Sequence, residues 1–70
     1  MPVVLAPTNV NLRIKKILVD EKTRKHLESL GLTVDSEITL LSSSGGTAVV
    51  KVKDGKIALD GNLSTKILVM

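Results

Sequence analysis

Apolar and polar positions change rhythm several times along the chain, and each change marks an element. From Leu12 to Val19 the run LRIKKILV alternates with a break in phase. Leu12, Ile14 and Leu18 fall on one face, Ile17 and Val19 on the other. A strand with a bulge or bend near Lys15-Lys16 produces that pattern. Residues 1–11 hold both prolines and two asparagines and read as an extended lead-in. At Asp20 the period lengthens to that of a helix running to Leu30. Asp20 suits the N-cap, Glu21 lies in the first turn where the dipole favours anions, and Gly31 takes the C′ position. Leu32 at C″ would then fold back on Leu27, the apolar contact of a Schellman ending. Thr23, Leu27 and Leu30 form the inward stripe, while Lys22, Lys25, His26 and Ser29 face water. Three turns are too few for an isolated helix, so this one must dock on a core.

Past the helix the period drops to two. Glu37–Ser42 carries Ile38 and Leu40 on one face, and Thr47–Lys53 carries Ala48, Val50 and Val52. Between them SSSGG, Ser42–Gly46, reads as a flexible loop. Asp54-Gly55 is a two-residue hairpin signal of type I′, which sets Val52 opposite Ile57 and Val50 opposite Leu59. A short turn through Gly61–Ser64 leads to a last strand, Lys66–Met70. Five short antiparallel strands, one helix and tight connections predict a mainly β protein, a small and strongly bent SH3-like barrel spanning residues 1–70 as one domain.

Composition narrows the core and the chemistry. The 70 residues include no Phe, Trp, Tyr or Cys, so the core must be built from Val, Leu and Ile. A chain of this length buries only about 60% of its unfolded surface. Barrel closure or weak homomeric self-association is the remedy left to it, since disulfides and cysteine metal sites are absent. Lack of cysteine fits a reducing compartment. No apolar run approaches the roughly 18 residues of a membrane span. Met1–Pro7 lacks the basic start of a secretory signal. The expectation is a soluble, cytoplasmic protein without membrane insertion.

The net charge of +3 is unevenly placed. Between Arg13 and His26, six basic residues face only Asp20 and Glu21, whereas the rest of the chain is slightly acidic. A basic segment can meet an acidic surface, phosphate or nucleic acid. Catalytic chemistry has little to work with. His26 is the lone histidine, and its helical neighbours Lys22, Thr23, Ser29 and Leu30 include no carboxylate. Carboxylates are scattered singly, which offers no built zinc or iron site and no cofactor site. Gly45-Gly46 is followed by a strand and lacks the Lys-Ser/Thr pair of a phosphate loop. Without aromatic residues the barrel can build neither a proline-peptide groove nor a base-stacking platform.

The order of features from Arg24 to Val69 resembles the FeoA family, ferrous iron transport protein A. A basic helix ends in Leu30-Gly31-Leu32, a turn enters Ser36-Glu37-Ile38, and Gly45-Gly46 follows. Val50–Val52, Ala58-Leu59 and Ile67-Leu68-Val69 complete the series, and the Ile14–Val19 strand extends the likeness over nearly the whole chain. No single motif is diagnostic; order and spacing carry it. Two segments depart from the family. Thr33-Val34-Asp35 stands where a Pro-Gly turn is frequent, and Asp60-Gly61 stands where basic residues frequently follow Ala-Leu. The resemblance implies an SH3-like barrel with a cytoplasmic accessory role in ferrous iron uptake. Its implied partner is FeoB, the membrane transporter with a cytoplasmic GTP-binding domain. By that likeness the chain is neither pump nor enzyme.

Charge and the Leu-Gly-Leu corner together nominate a partner surface: Arg24, Lys25, His26, Leu30, Gly31 and Leu32. Basic residues steer encounter with an acidic partner, and aliphatic area beside them supplies an apolar centre. The alternative assigns Leu30 and Leu32 to the core. Two other functional readings stand beside docking: a small basic nucleic-acid-binding barrel, whose binding would fall steeply with salt, and direct metal carriage, which needs convergent ligands.

Overall fold

A computed structural model describes residues 1–53 and 55–70. The chain enters through a 3-10 turn at Val3–Leu5 and continues as β1 (Asn11–Ile17), α1 (Glu21–Ser29), β2 (Glu37–Ser44), β3 (Thr47–Val52), β4 (Gly55–Leu59), α2 (Gly61–Lys66) and β5 (Ile67–Val69). The strands form one antiparallel sheet in the order β4-β3-β2-β1-β5.

Two strands, β1 and β2, divide their length between two neighbours at a break in register, and that makes the sheet curl. The first half of β1 pairs with β2, Leu12 opposite Ile38, and its second half pairs with β5, Ile14 opposite Val69. The ladder slips between Ile14 and Lys16, where the phase break predicts a bulge. β2 divides likewise, with an irregularity between Leu40 and Ser42. An extra residue on one strand increases the local twist, so each bulge turns a strand from one wall of the barrel to the next. Strands so bent enclose the aliphatic core: Leu12, Ile14, Ile38, Leu40, Ala48, Val50, Leu59, Ile67 and Val69 from the sheet, Leu27 and Leu32 from α1 and its exit.

The remaining expectations divide. Residues 1–11 are not simply extended: the turn at Val3–Leu5 drives Val3 and Ala6 into the core. Leu18 is not inward with Leu12 and Ile14; the bulge reverses its phase and leaves it 54% exposed. The SSSGG loop is shorter than read, because β2 runs to Ser44 and Ser44 pairs with Thr47. That leaves Gly45 and Gly46, with φ of 58° and 82°, as the two-residue turn.

The β3–β4 register also differs. Val50 lies opposite Ile57 and Ala48 opposite Leu59, with Val52 opposite Gly55. Gly55 therefore belongs to β4, while Asp54, the other half of the expected turn, lies outside the described residues. The displacement moves each partner by two positions. A strand's side chains repeat every two residues, so the apolar faces still meet.

Gly61–Ser64 is not a plain turn but the start of α2. Asp60 caps it, accepting from the Leu63 N–H at 2.8 Å. Ser64 is fully buried, and its hydroxyl donates to the Gly61 carbonyl at 3.1 Å and reaches the Gly46 carbonyl at 3.3 Å. This contact ties α2 to the β2–β3 turn. Strand β5 accordingly begins at Ile67, one residue later than expected. Its outer edge is covered by the N-terminus: Met1 and Val69 exchange backbone hydrogen bonds, and Pro2 bridges to Leu68.

Candidate functional site

α1 begins as the sequence predicts, with Asp20 in extended backbone geometry and its carbonyl accepting from the Arg24 N–H at 2.9 Å. The Asp20 side chain makes no capping hydrogen bond. At the far end the Schellman pattern forms in full. The Leu32 N–H donates to Leu27 at 2.9 Å, the Gly31 N–H donates to Glu28 at 3.0 Å, and Gly31 adopts φ +96°. A Cβ at Gly31 would sit 3.9 Å from that of Val52, an ordinary contact. Backbone conformation, not space, is what requires glycine there.

The nominated residues separate once folded. Leu32 is fully buried and belongs to the core, where it meets the single buried side chain of α1, Leu27. It cannot contact a partner without unfolding. Leu30, read as inward, is 40% exposed. Both follow from the αL turn at Gly31: reversing the chain there folds Leu32 under the helix and leaves Leu30 at its rim. Lys25, His26 and Gly31 are exposed.

Arg24 is engaged by its own helix. Its guanidinium donates to both Glu21 oxygens, at 2.5 and 2.6 Å, and lies 3.6 Å from Glu28. The hydrogen bond to Arg24 holds the Glu21 carboxyl below its ordinary 4.5, and the same bond raises Arg24. With Asp20, α1 carries three acids against three bases. The excess charge of the segment therefore resides on β1, and the helix face is electrically balanced.

Beside Leu30 and Gly31 the structure opens a groove of about 470 Å³ between the end of α1 and the β3–β4 hairpin. Val52 and Ile57 supply further aliphatic wall, and Lys53 and Lys56 stand at its margin. These four were not singled out from sequence. The chain after His26 is slightly acidic in sum, which hides two lysines that flank one turn. A smaller cavity of about 250 Å³ lies between Ile17, Arg24, Thr33 and Val34. Among the described residues, no three His, Asp or Glu side chains converge in a way that could hold a metal ion. Among the described residues no helix is long and apolar enough to cross a membrane.

No curated protein matches the chain. Among solved structures it is similar to a crystal structure of an iron uptake regulatory protein, FeoA, at 25% identity and a TM-score of 0.82. That alignment covers 99% of this chain and 92% of the other. The FeoA domain model matches residues 1–70, and the chain belongs to the FeoA family.

Proposed function

We propose that this protein is a non-catalytic accessory component of ferrous iron transport, which docks on a FeoB-type membrane transporter and tunes its assembly or activity. Family membership over residues 1–70 implies the role in ferrous iron transport. The observation that favours docking is the groove beside Leu30. It offers an aliphatic floor from Leu30, Val52 and Ile57, framed by Lys53 and Lys56, the apolar centre with charged rim common to recognition patches. Lys25 and His26 on the exposed face of α1 extend the rim. Arg24, held by two glutamates, serves the helix more than the partner. Gly31 sets the corner, and Leu32 supports it from the core.

The experiment is a pull-down from the native membrane fraction with partners identified by mass. Wild type should retain the transporter and Leu30→Asp should lose it, with an unchanged circular dichroism spectrum. Equal retention by both would remove the groove from the docking reading. Absence of the transporter from the wild-type sample would remove the partner.

A further inference from the structure

The structure brings the three basic residues of β1, Arg13, Lys15 and Lys16, together with Lys66 along one surface. Three successive backbone pairings run along the outside of the β1–β5 ladder. Arg13 and Met70 exchange backbone hydrogen bonds at 3.3 and 3.1 Å. Lys16 is the register partner of Leu68. The Leu18 N–H donates to the Lys66 carbonyl at 2.8 Å. Each rung joins a cation to an apolar residue. The bulge adds Lys15, whose side chain is exposed like those of Arg13 and Lys16. Ile14, Ile67 and Val69 point into the core, so alternation turns Leu68 and Met70 outward. Met70 is 67% exposed, Met1 55% and Leu18 54%.

We propose that this outer face is a peripheral docking surface for an anionic phospholipid bilayer. Glu37, the register partner of Arg13 on β2, borders it at one end. Lys15, Lys16 and Lys66 form no ion pair among the described residues. Four cations interleaved with Leu and Met side chains match what a negatively charged interface binds: headgroups meet the charge, and the apolar tips enter the boundary layer. A protein partner fits less well. Neither cavity lies on this face, and the chain has no aromatic residue to act as an anchor. The same lack of aromatics disfavours single-stranded nucleic acid. The surface is separate from the groove beside Leu30, so this inference does not rest on the docking reading.

Co-sedimentation of the full chain with vesicles at low salt tests it. Binding is expected to vesicles of phosphatidylcholine mixed with phosphatidylglycerol and not to phosphatidylcholine alone, with release as salt rises. Lys15→Gln with Lys16→Gln should lower the partition coefficient about 25-fold, about fivefold for each cation near the surface. Lys53→Gln with Lys56→Gln removes the same charge elsewhere and should leave it unchanged. Equal losses from the two pairs would make net charge the cause and overturn the assignment. So would failure to bind anionic vesicles, pelleting without vesicles, or equal binding to neutral ones. Capture by polyglutamate beads without vesicle binding would give the face to an acidic polypeptide instead.

Discussion

Replacing Leu27 by Ala isolates the contact that joins α1 to the barrel. Leu27 is 2% exposed and is the only buried side chain of a nine-residue helix too short to persist alone. The change deletes three buried carbon positions, worth about 2.4 kcal/mol at roughly 0.8 kcal/mol each. A residual cavity in the core raises the cost to about 3–4 kcal/mol, within the range seen for buried leucines. A domain of this length is stable by about 4–10 kcal/mol, so a third or more of its stability is at stake. The melting midpoint should fall by about 12 °C or more, at roughly 4–8 °C per kcal/mol for this size. With no Trp, Tyr or Phe to report, far-ultraviolet circular dichroism under heat and urea is the assay. Amide exchange should accelerate across Glu21–Ser29. A midpoint within two or so degrees of wild type, about the experimental error, would refute the idea that Leu27 anchors the helix.

Gly46→Val, at φ +82°, should cost about 1–3 kcal/mol in urea unfolding, whereas Gly55→Val, a strand position with nothing within 4 Å of its Cβ, should cost less than about 1 kcal/mol. Arg24→Ala should return the Glu21 pKa upward to its ordinary value in a carboxyl NMR titration. Because that pKa is depressed in the folded chain, the pair stabilises above the ordinary carboxylate range, and its contribution is lost as pH falls through the folded value. Calorimetry with Zn²⁺, or with Fe²⁺ under anaerobic conditions, should show no tight stoichiometric site; saturable micromolar binding lost on His26→Ala would contradict this.

What the sequence made legible was local. The α1 ending was readable because Gly31 and Leu32 occupy fixed offsets from the last turn and interact within six residues. Two strands of the core, Ile38-Leu40 and Ala48-Val50-Val52, were readable from strict alternation. α2 was not, since Gly61, Asn62, Ser64 and Thr65 are weak helix formers. Its stability comes from the Asp60 cap and from Ser64 packed under the β2–β3 turn, a tertiary contact; Asp60 three residues before Leu63 was the one sequence signal. The β3–β4 register escaped because the turn signal at Asp54-Gly55 names residues without stating which glycine conformation the strand ends impose. At the candidate site, Leu32 folds back under the helix as the Schellman ending predicts, but Leu30 is left at the rim because one αL residue between them reverses the chain. Lys53 and Lys56 were invisible as a pair until the hairpin brought them beside α1.

The docking claim is tested most directly by titrating the protein into the cytoplasmic GTP-binding part of a FeoB-type transporter and measuring affinity by calorimetry. Three forms decide it: wild type, Leu30→Asp in the groove, and Leu18→Asp at an exposed apolar position outside the groove. The account predicts saturable binding for wild type and Leu18→Asp, and at least a tenfold loss for Leu30→Asp, as expected when a charge enters an apolar contact. Wild-type affinity in Leu30→Asp, or no heat from any of the three, would contradict it.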